Sequence, residues 1–456
     1  MNAQPNSTEA RDILFHLHPN TDARLHQKVG PLVIARGDGI FVEDTSGRRY
    51  LEAMSGLWSV GLGFSEKRLA DAAYAQMCEL PFYHTFTHKV TGPAVDLAAK
   101  LVSIAPVPMS KVFFTNSGSE ANDTAMKMIW YRSNAMGRPE KKKLIARRKG
   151  FHGVTVGAAS LTGLAANHVS FDLPIANVLH VSCPDYWREA RDGESEEDFA
   201  DRLARELEDL ILAEGPETVA GFFGEPVMGA GGVIVPPKGY WPKIQAVLRK
   251  YDVLLVADEV ICGFGRTGNM FGSETFGIEP DMMILSKQLS SSYLPISAVL
   301  MNERVFEPLA DESARLGLFG HGLTAGGHPV TAAVALENIR IIEEEGLVDH
   351  VREVGAHLQR RLAPLADHPL VGHVRGIGLL GALELVADKK TNAPLGETGV
   401  LGRMANARLQ EAGLIARNMG DAIALCPPMI ITHDQIDLLV DMVTRVLDQL
   451  ASELEP

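Results

Sequence analysis

The stretch VLLVADEV, residues 253–260, decides the fold: an apolar run of strand length that stops at two carboxylates, Asp258 and Glu259. A strand without polar alternation is buried on both faces, as in a parallel sheet covered by helices. The surrounding chain repeats the theme. KVFFTN (111–116), KLIARR (143–148), VLHVSC (178–183), VAGFFGE (219–225), MMILSK (282–287) and ISAVLMN (296–302) read as short strands. ANDTAMKMIWYR (121–132), FADRLARELEDLILAEG (199–215) and YWPKIQAVLRKYD (240–252) read as helices between them. This alternation predicts an α/β domain with a mainly parallel sheet, ending near residue 329.

Outside that domain the pattern changes. Residues 31–60 read as short strands with turns at ARGDGIF and DTSGRRY. A long helix in TAAVALENIRIIEEEG (331–346) leads to strands in GIGLLGALEL (376–385) and AIALCPP (422–428), then to a final helix from about residue 434, an α+β pattern.

Composition narrows the function classes. The 456 residues are 46% hydrophobic and 22% charged, which excludes global disorder. Lys plus Arg total 43 against 57 Asp plus Glu, and the resulting net charge of −14 disfavours nucleic acid and anionic membranes as partners. No apolar run approaches the ~18 residues of a membrane helix, and the opening MNAQPNSTEARD lacks the basic and apolar regions of a signal peptide. Cys78, Cys183, Cys262 and Cys426 are widely spread, which suits a reducing cytoplasm. His84 and His88 stand at helical spacing but without other ligand types nearby, so no metal is expected. The basic run KKKLIARRK (141–149) is expected at a solubilising sheet edge, and REARDGESEEDFADR (188–202) on a solvated face.

Three features carry chemistry. KVFFTN runs into SGSEAND (117–123), where Ser117, Gly118 and Ser119 would open a helix; its unpaired N–H groups and positive dipole end suit a phosphate, although an ordinary N-cap looks the same. Asp258 closes a strand at the carboxyl edge where open α/β sheets bind ligands. Lys287 closes another strand, and a desolvated lysine becomes a nucleophilic amine. Phosphate anchor, ring-nitrogen partner and Schiff-base amine are together the parts that hold pyridoxal 5′-phosphate. GFGRTG (263–268) and GIGLLG (376–381) share the glycine spacing of a dinucleotide fingerprint, but neither is followed by the helix that would hold a pyrophosphate.

GLW (56–58), SGSEAND, FHG (151–153), EPV (225–227), ADEV (257–260), SKQLSS (286–291) and HGLTAGGHP (321–329), in that order, resemble the class III aminotransferases, and within them the amine:pyruvate or ω-transaminase branch. The resemblance covers essentially the whole chain. It implies fold type I, with a large domain (61–329) on a mainly parallel seven-stranded sheet and a small α+β domain assembled from both chain ends (1–60 and 330–456). It implies Lys287 as the Schiff-base lysine and proton carrier, and Asp258 opposite the pyridinium nitrogen. Ser117, Gly118 and Ser119 would hold the phosphate, Phe151 and Val260 the two ring faces, and His152 and Glu225 would support them. Thr324 resembles the threonine that reaches the phosphate of the neighbouring subunit, implying a homodimer, with pairing of dimers into tetramers left open.

For the substrates, an amine and a keto acid such as pyruvate, the resemblance implies Arg417 as a mobile carboxylate clamp. Trp58, Phe151, Ala230 and a partner-lent Phe86 would line the pocket. Phe151 replaces the family's usual Tyr, and Ala230 stands where ornithine- and GABA-type relatives carry Glu, so bulky apolar amines are the expected donors. An aminomutase, a decarboxylating transaminase, or a cofactor-binding scaffold without turnover remain the alternatives.

Overall fold

The computed structural model describes residues 6–454. At the amino end, β1 (Ile34–Asp38), β2 (Phe41–Asp44) and β3 (Arg49–Glu52) form an antiparallel meander. The central sheet takes β4 (Lys111–Thr115), β5 (Lys143–Arg147), β6 (Val178–Val181), β7 (Val219–Gly224), β8 (Leu254–Asp258), β9 (Met282–Leu285) and β10 (Ser297–Met301), in the order β4-β10-β9-β8-β7-β5-β6. β10 runs against both its neighbours, β4 and β9, while the pairs from β9 to β6 are parallel. The fold is thus the α/β class expected, a mixed but mainly parallel seven-stranded sheet.

Every residue of β7, β8 and β9 is buried, because helices cover both faces. The helix Gly118–Ala135 packs one face through Ala121, Ala125 and Ile129. The helices Glu196–Glu214 and Tyr240–Lys250 pack the other through Phe199, Leu207 and Trp241. A side chain the size of Leu buried here contributes about 1.5–3 kcal/mol, which is why the strands carry no polar alternation.

β11 (Val371–Ile377), β12 (Leu380–Leu385), β14 (Arg417–Met419) and β15 (Ala422–Leu425) make a third sheet, and β13 (Leu414–Ile415) leaves it to pair in parallel with β3. Leu414 opposite Leu51 therefore ties the carboxyl part of the chain to the amino-terminal meander. GIGLLG is the β11–β12 hairpin, with Gly378 at φ 55°.

One expectation fails. KKKLIARRK does not lie on a sheet edge: β5 sits between β7 and β6, Lys141 is buried under the carbonyls of Pro216 and Tyr251, and Arg147 is fully buried. The Arg147 guanidinium donates to the carbonyl of Glu225 at 2.6 Å and lies over the Trp241 ring. Counting charges hid this, because a guanidinium that finds a carbonyl and an aromatic face tolerates burial.

Among the described residues no helix is long and apolar enough to cross a membrane.

Candidate active site

Because β4, β5, β7, β8 and β9 all point the same way, their carboxyl ends share one edge. The segments leaving that edge carry Ser117–Ser119, Phe151–Gly153, Glu225, Asp258–Val260 and Ser286–Lys287. Residues dispersed over 170 positions are thereby drawn to one place.

Asp258 is its fixed point. Its Oδ2 accepts from His152 Nδ1 at 2.8 Å and from the Asn122 amide at 3.0 Å, and its Oδ1 accepts from the Val260 N–H at 3.2 Å. The carboxylate is only 3% exposed, and these donors offset the cost of burying it. Glu259 goes elsewhere: its carboxylate accepts from the N–H groups of Gly272 and Ser273 and from the Ser273 hydroxyl. Burial nonetheless pushes its carboxyl up to about 7. The short helix Gly272–Phe276 that follows GFGRTG is thus capped by the protein's own carboxylate, which leaves no N-terminus for a pyrophosphate.

Glu225 bridges two loops, accepting from the Phe151 N–H at 3.0 Å and the Gly229 N–H at 3.2 Å. Burial, reinforced by Asp258, raises its carboxyl above the usual range against the pull of His152 and Arg147.

Ser117 N-caps the helix Gly118–Ala135, its Oγ accepting from the Glu120 N–H at 3.2 Å. This is the ordinary capping role, and it does not use the N–H groups of Gly118 and Ser119, which have no intrahelical acceptor in a first turn. A Cβ on Gly118 would lie 3.3 Å from Val260 and 3.7 Å from Ser286, so the helix terminus, the Asp258 strand and the residue before Lys287 meet there. The Ser119 hydroxyl accepts from the Val154 N–H at 3.0 Å, which binds the FHG loop to the same turn.

Lys287 opens a tight turn, Lys287–Ser290, with φ 47°, a left-handed backbone that costs a non-glycine residue about 1–2 kcal/mol. Its surroundings hold it there. Ser286 and Ser297 share a 2.6 Å hydrogen bond, Asn338 donates to the Gln288 carbonyl at 2.7 Å, and the Gln288 amide fills the space a Cβ on Gly61 would need. Burial lowers the pKa of the Lys287 ammonium, helped by Arg417 and opposed by Asp258, Glu225 and Cys426. Arg417, on β14, is itself partly desolvated, and burial lowers its pKa as well.

The donor set fits pyridoxal phosphate. An anion-ready helix terminus, an oriented carboxylate and a nucleophilic amine converge, and the buried Asn122 Oδ1 and His152 Nε2 have no protein partner among the described residues. The family model for class III aminotransferases matches residues 23–447. The chain belongs to the class III aminotransferases.

Pyridoxal 5′-phosphate is the cofactor of this aminotransferase. Among solved structures it is similar to the ω-transaminase of Pseudomonas jessenii in complex with PMP, at 60% identity and a TM-score of 0.98, covering 98% of this chain and 99% of that one. It is similar also to a thermostable ω-transaminase variant, W58M/F86L/R417L, engineered for asymmetric synthesis of enantiopure bulky amines, at 59% identity and a TM-score of 0.98 over 98% of this chain and 100% of that one. In sequence it is 48% identical to mitochondrial γ-aminobutyrate transaminase 1 of Oryza sativa subsp. indica, over 96% of this chain and 86% of that protein.

The aminotransferase brings Ser117, Gly118, Ser119, Phe151, His152, Glu225, Asp258, Val260 and Lys287 to one edge. Trp58, 2% exposed, packs with Met54, Val227, Ile261 and Cys426, and so borders the surroundings of Lys287 through Cys426. Ala230 lies partly buried in the loop that Glu225 anchors at Gly229. Phe86 and Thr324, the pair assigned to a neighbouring subunit, are exposed and belong to one loop cluster: the Phe86 ring covers Gly322, and Thr85 donates to the Gly326 carbonyl. Sequence inspection missed Asn122, which stands one helical turn after Gly118 in the quoted SGSEAND, and Arg147. The i,i+4 spacing is a signal for the first; no local signal marks the second.

Proposed function

We propose that this aminotransferase is an ω-transaminase. It takes the amino group of a primary amine, bulky and apolar or an ω-amino acid, and delivers it to a keto acid such as pyruvate in a ping-pong cycle. One observation carries this: 60% identity over 98% of the chain to a solved ω-transaminase, with Trp58, Phe86 and Arg417 present here as the residue types replaced in the variant engineered for bulky amines.

Bound pyridoxal phosphate supplies an electron sink for the amine-bearing carbon of the substrate. The chain supplies positions and protons. Lys287, whose ammonium is disfavoured by burial, would hold the cofactor covalently and would carry the proton from the substrate carbon on Nζ. Asp258, oriented by His152 and Asn122, would set a negative charge opposite the cofactor's ring nitrogen. Gly118 and Ser119 would offer N–H groups, and Ser117 and Ser119 hydroxyls, to the phosphate, with Thr324 of the neighbouring subunit. Phe151 and Val260 would flank the two ring faces.

Arg417 grips the carboxylate of the keto acid and swings away for an apolar amine; its guanidinium fork matches a carboxylate bidentately. Trp58, Phe151, Ala230 and the partner-lent Phe86 form the apolar wall. A homodimer is supported by the exposed apolar side chains Phe82, Tyr83 and Phe86 beside the Thr324 loop. The pairing of β3 with β13 supports a small domain drawn from 1–60 and 330–456 beside the large one, 61–329, with residues 1–5, 455 and 456 outside the described residues. Free thiols at all four cysteines support a cytoplasmic setting.

Initial rates on 1-phenylethylamine, ornithine and γ-aminobutyrate with pyruvate as acceptor, read as alanine formed, test the proposal. The aryl-alkyl amine should be turned over fastest. Faster turnover of ornithine or γ-aminobutyrate overturns the bulky-amine assignment, and absence of alanine overturns the transaminase itself.

A further inference from the structure

The helix Thr8–Phe15, the linker after it and the helix Ala23–Val29 converge on one carboxylate. Asp12 Oδ1 lies 3.1 Å from His16 Nδ1, His18 Nε2 lies 2.9 Å from both Asp12 oxygens, and His26 Nε2 lies 2.8 Å from Oδ2. The ring centroids of His16 and His18 are 4.4 Å apart, and those of His18 and His26 4.1 Å.

We infer that Asp12, His16, His18 and His26 form a binding site for one first-row divalent cation of the zinc class. The ligand atoms of Asp12, His16 and His18 all lie within 4.8 Å of one another. His26 lies outside that group but reaches the second Asp12 oxygen at 2.8 Å, from where closing on the ion would add a fourth donor. Zinc bonds of about 2.0–2.1 Å in a tetrahedron imply donor separations of about 3.3 Å. The oxygen–nitrogen separations of 2.8–3.1 Å are within a few tenths of an ångström of that figure, and the imidazole nitrogens would draw in around the ion. Three imidazoles and one carboxylate suit a borderline ion and not Mg²⁺, which requires oxygen donors.

The location gives the ion a structural use. The two helices span 8 and 7 residues and bury none of them, and helices so short are marginal in water by themselves. Ligands from both helices and from the linker would make a cation a staple across this arm. The donors, at 12, 16, 18 and 26, come from two helices and a linker, so no single sequence spacing marks them, whereas in the His84 and His88 pair His84 accepts from the N–H of Phe86.

The test titrates Zn²⁺ into chelator-treated holoenzyme against a chromophoric chelator, with Mg²⁺ in parallel, for the natural chain, Asp12→Asn, His18→Ala and, as a control at a separate histidine pair, His357→Ala. One tight Zn²⁺ equivalent per chain, absent with Mg²⁺, lost in Asp12→Asn and His18→Ala and kept in His357→Ala, is expected. X-ray absorption on the zinc-loaded natural chain, which depends on no variant folding, should show a nitrogen and oxygen shell with imidazole scattering. No tight equivalent, one that survives both substitutions, or a shell without imidazole overturns the site.

Discussion

His152 Nδ1 stands 2.8 Å from Asp258 Oδ2, and both side chains are sealed from solvent. The contact orients a carboxylate that would otherwise be an unpaired buried charge, and Asn122 binds the same oxygen. In Asp258→Asn the volume is kept but the charge is lost. Transamination should fall about 100- to 1,000-fold, the usual cost of removing one electrostatic contact at a reacting centre, while the variant still folds. Stopped-flow measurement of the amine half-reaction checks this, and an unaltered rate would show that Asp258 is remote from the chemistry.

Burial and the nearby Arg417 hold the Lys287 ammonium below its ordinary range. Only the neutral amine attacks an aldehyde. The rate at which cofactor-free protein takes up pyridoxal phosphate should therefore climb with pH and level off below the ~10.4 of a free lysine. Lys287→Ala should neither retain cofactor through gel filtration in denaturant nor turn over substrate. A midpoint in the ordinary lysine range would contradict the burial argument.

Arg417 and Trp58 should separate by substrate. Arg417→Leu is expected to raise KM for pyruvate while leaving the half-reaction with 1-phenylethylamine near its natural rate, since only the acid offers a carboxylate. Trp58→Leu should raise kcat/KM for amines bulkier than 1-phenylethylamine and lower stability, because a buried large-to-small change costs on the order of 2–4 kcal/mol. Steady-state kinetics and chemical denaturation measure both. Equal effects on the two substrates in Arg417→Leu would remove it from carboxylate recognition.

Glu259 offers a test of sign. Its carboxyl titrates near 7 in the folded chain against 4.5 when free, so between those values the native state holds a proton that the unfolded state has released. Its contribution to stability is complete below about 4.5 and is lost as pH rises through 7. Relative to Glu259→Gln, the natural chain should lose ground between pH 4.5 and 7 and no further above it. Urea midpoints for both proteins across that range decide the matter; a constant difference would mean the carboxylate is already ionised at the low end.

Most of the central sheet could be read from the chain, because strands buried on both faces must be apolar and the helices between them must show a helical period. The parts of the site at strand ends, Asp258, Lys287 and Ser117–Ser119, were legible for the same reason: polarity appears abruptly where burial stops. Arg147 was not. A basic residue in a basic run has the same local signature whether it meets water or, as here, the Glu225 carbonyl and the Trp241 ring.

The linear order of residues determined which segments become strands and helices, and which reactive groups stand at their ends, since those depend on hydrophobic period and turn chemistry within a few residues. Tertiary structure alone decided which of two adjacent carboxylates faces the site. Asp258 turns to His152 and Asn122, and Glu259 to Gly272 and Ser273, donors that lie 13 to 136 positions away in the chain. Neighbouring side chains on an extended backbone point to opposite faces, and what waits on each face is set by how distant strands and helices pack.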